Sequence, residues 1–390
     1  MQKICIITGT RAEYGLLKPL IDILKRDEDL ILQLIVTGSH LSHEFGYTVQ
    51  EIEKDGVHIS DKIEILISSN SSVGVTKSFG LGCIGFADAF SRLNPDLVIL
   101  LGDRYEALAA AVSATIARIP IGHLHGGEVT EGAIDESFRH AITKLSSLHF
   151  ASTALSASRI IQMGENPKHV FNVGAIGLDQ IELLKQQSSE ELESDLGIKL
   201  KSPLFLVTLH PETCLSAEFA ETHALSLVNA LSHFPQASLV FTGANADVGG
   251  RLINSILLEF TEKRRVTAST YFVHSLGQLR YLSALKFSDL VIGNSSSGIL
   301  EAHPAGTVCV NIGARQRGRE QAKSVINCGW DVNEIKNSIS IGLSQSQREL
   351  LKLDSPYGKP GVAQKIAAII KKVDLTEFRT KPFHKFNGDH

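Results

Sequence analysis

Short apolar segments alternate with longer amphipathic segments along the whole chain. Apolar runs bounded by turn residues are typical of buried strands, and amphipathic segments between them are typical of helices that cover a sheet. The pattern predicts strands at residues 4–8, 32–37, 97–101, 119–123 and 149–151, and again at 204–209, 238–242, 270–272, 290–293 and 308–312. Helices are predicted at 16–26, 47–54, 80–93, 106–117 and 136–145 in the first half. This alternation indicates βα units on parallel sheets.

The length of the chain predicts two domains, because 390 residues exceed what one ordinary hydrophobic core accommodates. We expect an α/β protein made of two Rossmann-like domains that face a cleft. The predicted domains are residues 1–178 and 179–365, followed by a helix end and tail at 366–390. The charged segment 188–202 is predicted to be a solvated linker or a surface helix near the boundary. The last helix, at 362–373, is predicted to cross back to the first domain.

Composition and charge narrow the classes of function. The formal net charge of −4 argues against general nucleic-acid binding, which needs a basic face, but it is compatible with one small anionic ligand. Five dispersed cysteines without a CxxC pair predict reduced thiols, and neither a disulfide framework nor a zinc site. No apolar run approaches the roughly 20 residues that span a bilayer. We therefore expect a soluble, cytoplasmic protein without a membrane partner.

Polar clusters follow the predicted strands at the ends where parallel sheets bind ligands. Two domains that face each other would bring these loops to one cleft. The clusters are TGTRAEYG, TGSH, LGDR and HLHGGE in the first half, and LHPE, TGANAD, GNSSSG and NIGARQRGRE in the second.

The segment GNSSSG at 293–298 is a candidate phosphate-binding turn, since glycines admit a ligand and hydroxyl and N–H groups favour an anion. The alternative is a serine-rich cap on an ordinary βα turn. Glu301 is placed to accept both ribose hydroxyls of a nucleotide, and Arg315 to hold a diphosphate. Arg315, Arg317 and Arg319 otherwise form a surface cluster, of which at most one or two contact ligand. The first turn lacks GxGxxG spacing, so hydride chemistry with a dinucleotide cofactor is not supported.

Acid–base chemistry is expected from a second set of residues. The arginine beside Asp103 is expected to keep that carboxylate ionised, although an aspartate that caps a helix is the alternative. Asp135 and Arg139, at i and i+4, form either an ion pair that points into the cleft or a plain surface salt bridge. The candidates are Asp103, His125, Glu128, Asp135, Arg139 and His210.

The histidines leave further alternatives open. His123, His125 and Glu128 lie within six residues, but no third-ligand spacing supports a metal, so no metal is predicted. His210 precedes Pro211 on a rigid turn and is either a structural histidine or one that faces the loops of the first domain.

Taken together, these loops resemble the UDP-N-acetylglucosamine 2-epimerase superfamily, in particular its hydrolysing branch from sialic acid biosynthesis. The resemblance rests on residues 8–15, 37–40, 101–108, 123–149, 209–213, 293–301 and 311–320, in the family's order. It implies a glycosyltransferase-B-type fold, no cofactor, and a homodimer or homotetramer. One departure is that several relatives have a glutamate where this chain has His125.

The resemblance also implies residue roles and a reaction. UDP-N-acetylglucosamine would lose UDP by anti-elimination, and the resulting 2-acetamidoglucal would be hydrated to N-acetylmannosamine. Asp103, Glu128, Asp135, Arg139 and His210 would surround the sugar and leaving phosphate, with His125 as a further acid–base candidate. The implied substrate contacts are Arg11, His40, Arg104, Asn245, Ser295, Ser296, Gly298, Glu301 and Arg315.

Three alternatives to this activity remain open from the sequence. A hydrolysing epimerase acting on UDP-N,N′-diacetylbacillosamine would carry the same loops. A non-hydrolysing epimerase would return the nucleotide sugar intact. A catalytically silent UDP-sugar sensor would not need the carboxylates or His210.

Overall fold

A computed structural model of the chain describes residues 1–67, 71–130, 134–183, 187–212, 217–244, 249–266, 268–378 and 380–385. Of residues 183, 217, 218 and 278 only the backbone is described. The chain divides into two compact units, one formed by Met1–Gln180 with Pro360–His390 and the other by Ile181–Lys359. The sequence prediction places these boundaries after residues 178 and 365.

The strands were all predicted by the apolar runs except for three short ones. They are β1 (Gln2–Thr8), β2 (Leu30–Thr37), β3 (Asp61–Ile63), β4 (Leu97–Leu101), β5 (Ile121–Leu124), β6 (Leu148–Ala151), β7 (Val170–Asn172), β8 (Leu204–Thr208), β9 (Ser238–Thr242), β10 (Thr270–Val273), β11 (Leu290–Gly293), β12 (Val308–Ile312) and β13 (Val325–Cys328). The three that the sequence missed are β3, β7 and β13.

Helices follow most strands. They are α1 (Arg11–Arg26), α2 (Val49–Lys54), α3 (Ser72–Leu93), α4 (Tyr105–Ile116), α5 (Ile134–Leu145), α6 (Ala154–Gln162), α7 (Leu178–Leu183), α8 (Ser189–Leu196), α9 (Ala217–Ser232), α10 (Gly250–Arg265), α11 (Gly277–Phe287), α12 (Ser296–Leu300), α13 (Val332–Gly342), α14 (Gln345–Glu349) and α15 (Val362–Lys372). Short 3₁₀ turns lie at Gly38–Leu41, Pro167–His169, Leu350–Lys352 and Leu375–Phe378.

Each unit contains one parallel sheet. The first has seven strands in the order β3-β2-β1-β4-β5-β6-β7, and the second has six in the order β10-β9-β8-β11-β12-β13. All neighbouring strands pair in parallel. In both sheets the strand order reverses beside the first strand of the unit, which is the Rossmann arrangement. Two Rossmann-like α/β units, the predicted fold, are therefore confirmed.

Burial explains which strands the sequence revealed. Every residue of β4, β8 and β12 is buried, since helices cover both faces of a parallel sheet, and such strands are continuous apolar runs. By contrast, β3, β7 and β13 lie at sheet edges and are only partly buried. Their sequences lack the apolar run because part of each strand remains exposed.

The charged segment at 188–202 belongs to the second unit. Ser188 and Glu191 form a capping box at the start of α8, and Gly197 ends the helix in a left-handed conformation. Leu192 is buried in the core of this unit. The surface-helix alternative is thus confirmed for residues 189–196, and a linker at this position is wrong.

The last helix, α15, packs in the first unit, as the sequence predicted. Val362, Ala363, Ile366 and Ile370 are buried in the same core as α1. The carboxylate of Asp179 accepts backbone N–H groups at the start of this helix. The bonds run from Gly361 at 2.7 Å, Val362 at 2.8 Å and Ala363 at 2.6 Å.

Replacing Asp179 by alanine is expected to lower the free energy of unfolding by about 2–4 kcal/mol, because three helix N–H groups lose a charged acceptor. Urea denaturation of the full chain, followed by circular dichroism, measures this change. Asp374→Ala removes an exposed cap from Thr376 and serves as the control, with a small expected loss. Equal midpoints for both variants would contradict the prediction.

Two further sequence expectations concern the chemistry of the chain. None of the helices in the described ranges is long and apolar enough to cross a membrane. Cys5, Cys83, Cys309 and Cys328 are free thiols, and burial raises the pKa of Cys309 to about 12. Cys214 lies outside the described residues.

Candidate functional site

In the first unit the strand order reverses between β1 and β4, and the turns after these strands carry the candidate residues. Thr10 caps α1, and Glu13 Oε2 accepts the N–H groups of Gly9 at 2.7 Å and Thr10 at 3.1 Å. Burial raises the pKa of Glu13 to about 7. Sequence reasoning missed Glu13, although Thr10-x-x-Glu13 is the signature of a capping box.

Arg139 is the buried cation of this unit, with 4% of its surface exposed. Its Nη2 donates to Asp103 Oδ2 and, at 3.2 Å, to Thr130 Oγ1. Its Nη1 donates to the carbonyl oxygen of Glu128 at 2.9 Å. Arg139 therefore orients the side chain of Asp103 and ties it to the loop that carries Glu128.

Two predicted pairings differ from this arrangement. Arg104, the sequence neighbour of Asp103, pairs instead with buried Glu106, with Nη2 at 3.1 Å from Oε1. The i, i+4 ion pair between Asp135 and Arg139 is not formed between these two described residues, because Arg139 points to Asp103. Burial raises the pKa of Asp135, and the nearby charge of Asp103 raises it further. Asp135 is therefore more easily protonated than an ordinary aspartate.

The loop HGGE at 125–128 is tightly wound. His125 has a φ of 63°, in the left-handed region that few non-glycine residues adopt. A Cβ at Gly127 would lie 2.3 Å from the carbonyl oxygen of Ser156, and one at Gly126 would lie 2.8 Å from Thr143 Oγ1. Both glycines are needed because the backbone passes so close to β6–α6 and α5.

This winding brings His125 against Glu128. His125 Nδ1 lies 2.8 Å from Glu128 Oε1, and Ser152 Oγ donates to the same oxygen at 2.7 Å. His125 Nε2 accepts the N–H of Ile176 at 3.3 Å. Since a backbone N–H can only donate, the ring proton lies on Nδ1. Sequence reasoning missed Ser152, which follows β6 at the same sheet edge.

His123 supports the turn that carries Asp103. It is fully buried, its Nε2 donates to the carbonyl oxygen of Gly102 at 2.7 Å, and its Nδ1 lies 3.1 Å from Thr143 Oγ1. Burial lowers the pKa of His123 to about 3, so the ring is neutral. In the described part of the chain no His, Cys, Asp and Glu side chains form a group that could hold a metal ion.

His40 does not have the accessibility that a substrate contact requires. It is fully buried, with Nε2 at 3.1 Å from Thr8 Oγ1 and Nδ1 at 2.8 Å from Thr48 Oγ1. Burial lowers its pKa to about 4. The predicted contact is thus corrected to a support for the first two turns. Arg11, by contrast, is exposed at the start of α1 and pairs with Glu51 at 3.0 Å.

An open pocket of about 790 Å³ adjoins these turns at the carboxyl ends of β1, β2 and β4. Its size falls in the usual range for small-molecule sites, roughly 300–1,000 Å³. Both apolar and charged side chains face it, among them Leu41, Phe45, Ile67, Ser39, Arg104 and Glu106.

In the second unit, the strand order reverses between β8 and β11, where His210 and Asn294 lie. The fully buried side chain of Asn294 accepts the N–H of His210 at 2.8 Å and donates to its carbonyl oxygen at 2.8 Å. Gly293 has a φ of 136°, and a Cβ there would lie 1.9 Å from the carbonyl oxygen of Thr208. Asn294, which sequence reasoning missed, therefore fixes the backbone of His210.

A chain of hydroxyl groups ends on Glu301. Tyr281 Oη donates to Ser297 Oγ at 2.7 Å, and Ser297 Oγ donates to Glu301 Oε2 at 2.6 Å. Burial raises the pKa of Glu301 despite the hydrogen bond from Ser297. Ser295 caps α12, which begins at Ser296. The serine turn therefore caps a helix, which was the alternative to a phosphate-binding turn. Ser297 of the same turn orients Glu301.

The remaining residues predicted to contact substrate differ in their burial and in their partners. Arg315 Nη1 donates to the carbonyl oxygen of Asn294 at 3.2 Å, whereas Arg317 is exposed. Gly298 is buried, and a Cβ there would lie 2.7 Å from Cys309 Sγ, so its lack of a side chain serves packing, while its contact with ligand stays a prediction. Asn245 lies outside the described residues.

The chain is similar to proteins of a known family. The model of the family described as UDP-N-acetylglucosamine 2-epimerase matches residues 22–371. The chain is 43% identical to the GDP/UDP-N,N′-diacetylbacillosamine 2-epimerase (hydrolyzing) of Campylobacter jejuni subsp. jejuni serotype O:2, over 86% of this chain and 85% of that protein. It is 36% identical to the polysialic acid biosynthesis protein P7 of Escherichia coli, over 99% and 97%.

A solved structure agrees in fold. The UDP-GlcNAc 2-epimerase from Neisseria meningitidis bound to UDP-GlcNAc superposes with a TM-score of 0.80 at 19% sequence identity. The superposition covers 95% of this chain and 100% of that chain.

Proposed function

Because the chain belongs to the UDP-N-acetylglucosamine 2-epimerase family, we propose that it is a hydrolysing 2-epimerase acting on a UDP-linked 2-acetamido sugar. It would release UDP and the free sugar with C2 inverted. The observation that carries this proposal is the carboxylate set of the first unit. Asp103 forms an ion pair with buried Arg139, while burial and the charge of Asp103 raise the pKa of Asp135.

The chemistry requires such unlike carboxyl groups. The proton at C2 has no adjacent carbonyl, so it is removed as the C1–O bond breaks and the bonding electrons leave with UDP. A carboxylate takes the proton, and the electron pair forms the C1=C2 bond of a 2-acetamidoglucal. Water then adds its hydroxyl to C1, and an acid delivers a proton to the opposite face of C2. Groups whose environments separate their pKa values suit these opposite tasks.

We assign the acid step to Asp135 and draw the base from Asp103 and Glu128. Asp135 is half-buried, and its raised pKa favours the protonated form. Asp103 and Glu128 are each fixed by donors, from Arg139 and from Ser152 respectively. In the second unit, Ser295, Ser296, Glu301 and Arg315 are proposed to hold UDP, with His210 stabilising the leaving diphosphate.

For the sugar, we propose UDP-N,N′-diacetylbacillosamine ahead of UDP-N-acetylglucosamine. The support is the Campylobacter relative, which at 43% identity carries that sugar in its name. A 4-acetamido-6-deoxy sugar differs from N-acetylglucosamine by an acetamido group at C4 and a methyl group at C6. The Escherichia coli relative and the resemblance to the sialic acid branch favour UDP-N-acetylglucosamine as the second candidate.

Turnover of the two nucleotide sugars, followed by proton NMR in deuterated water, is expected to yield free UDP and a 2-epimerised sugar with deuterium at C2. The specificity constant should favour the diacetylated sugar by about tenfold or more, the usual worth of one or two small groups in a pocket. An intact UDP-sugar product would contradict hydrolysis. A preference for UDP-N-acetylglucosamine would reverse the order of the two substrates.

A further inference from the structure

Glu128 has two donors on one oxygen, and one of them, His125, has no role in the reaction scheme above. Ser152 Oγ and His125 Nδ1 both point to its Oε1 atom, at 2.7 and 2.8 Å. Ser152 is fully buried, and only 13% of the side-chain surface of Glu128 is exposed. Donors to the ionised form of a carboxyl group favour that form, and two donors on one oxygen also fix the plane of the group.

His125 is itself fixed on its far side. The N–H of Ile176 points to Nε2, so the single proton of the neutral ring lies on Nδ1 and is directed to Glu128. The left-handed backbone of His125, with a φ of 63°, stores strain that the surrounding contacts must hold. Both ring nitrogens are thus engaged within the protein, which leaves the ring no lone pair to exchange a proton with a sugar.

We propose that His125 and Ser152 are positioning residues that hold Glu128 as an oriented carboxylate, and that Glu128 rather than His125 is the acid–base group of this loop. This inference rests on the proposed epimerase function. Glu128 lies three residues after His125, and the histidine orients it.

Substitutions of His125 distinguish a residue that positions Glu128 from one that transfers the proton itself. The side-chain nitrogen of asparagine can replace Nδ1 as a donor, and asparagine tolerates positive φ values. His125→Asn is therefore expected to keep turnover within about fivefold of wild type, while His125→Ala loses about a hundredfold. If the imidazole itself transferred the proton, both variants would lose turnover alike, and the inference would be wrong.

Ser152→Ala tests the second donor. Turnover is expected to fall about tenfold in the wild-type background and not at all in a Glu128→Gln background, because residues that act through one group are not additive. The matched control is Ser146→Ala, which removes a buried hydroxyl that donates to Ile142 at 2.7 Å, away from Glu128. Additive losses in the double variant would contradict the proposed route through Glu128.

The pH profile provides a readout that a merely structural serine would not move. Loss of a donor to the carboxylate favours its protonated form, so Ser152→Ala should shift the acidic limb of kcat to higher pH. The charged groups that face this loop are His125, Arg139 and Arg159, the last of which donates to the carbonyl oxygen of Gly127 at 3.3 Å. An unshifted limb with lowered kcat would assign Ser152 a packing role only.

A measurement independent of turnover distinguishes failure of this inference from failure of the epimerase proposal. Nitrogen-15 NMR of histidine-labelled full-length protein, with the His125 signals assigned by their loss in His125→Asn, reports which ring nitrogen carries the proton. Protonation at Nδ1 is expected. The opposite tautomer would overturn the inference even if the enzyme is active, whereas absence of UDP release from every nucleotide sugar would refute the epimerase function alone.

Discussion

The Asp103→Asn variant is expected to release UDP at least about a thousandfold more slowly than the wild type while its affinity for UDP stays within about threefold. The amide cannot accept a proton, and it leaves buried Arg139 without its counter-charge. The loss also removes a negative charge that raises the pKa of Asp135, so the proposed acid becomes easier to ionise. All three effects act against turnover, and none involves the proposed UDP contacts in the second unit.

Single-turnover kinetics and calorimetric titration with UDP measure the two quantities separately. The matched control is Asp96→Asn, at the opposite end of the same strand, where Asp96 Oδ2 accepts the N–H of Lys3 at 2.9 Å. This variant should turn over within about twofold of wild type, since surface changes of this kind have small effects. Wild-type rates for Asp103→Asn would remove Asp103 from the catalytic set.

The Glu301→Ala variant is expected to weaken UDP binding by about a hundredfold or more with a much smaller change in kcat at saturating substrate. A carboxylate that accepts both ribose hydroxyls contributes two charge-assisted hydrogen bonds. Ser297 holds one oxygen of Glu301 in place at 2.6 Å, and Tyr281 holds Ser297 at 2.7 Å. The orientation is therefore set before ligand binds, which reduces the entropic cost of binding.

Deoxy analogues of the nucleotide test the contact directly. Wild-type protein should bind 2′-deoxy-UDP and 3′-deoxy-UDP about tenfold more weakly than UDP, while Glu301→Ala should bind all three alike. Glu259→Ala, which removes an exposed glutamate of α10, is the control with unchanged affinity. Discrimination against the deoxy analogues that persists in Glu301→Ala would place the ribose elsewhere.

The affinity for UDP should also depend on pH. In the proposed contact only the ionised carboxylate of Glu301 would accept both ribose hydroxyls, and burial raises the pKa of Glu301 above its ordinary value. Affinity is thus expected to fall as the pH decreases, beginning at a higher pH than an exposed glutamate would give. In Glu301→Ala this part of the pH dependence should disappear, which titrations at several pH values would reveal.

Much of the fold was predictable because its signal is local. A strand such as β4, buried on both faces, must be apolar at every position, and a helix such as α1 must repeat its apolar residues every turn. The edge strands β3, β7 and β13 carry no such pattern, since part of each remains exposed. The sequence therefore predicted the centres of both sheets and the edge strand β10, and it missed the other three edge strands.

The site was predictable in position more than in role. Asp103, Glu128 and His210 were chosen as candidates because polar residues at strand ends are informative in a parallel sheet. Asn294 and Ser297 belong to the GNSSSG turn that the sequence indicated, but their individual partners were not predicted, and Ser152 was missed because a single uncharged residue is common in turns. Ser152 is a polar residue directly after β6, so its position at a strand end would have identified it as a candidate.

The amino-acid sequence by itself determined two parallel α/β units, the family and the polar loops at their strand ends, because periodicity and motif order are encoded along the chain. Only the tertiary structure decided which side chains meet. Arg139 pairs with Asp103 and not with Asp135, Arg104 pairs with Glu106, and both nitrogens of His40 are engaged in the core. The physical reason is that pairing and burial depend on distances between elements far apart in sequence, and no local pattern records those distances.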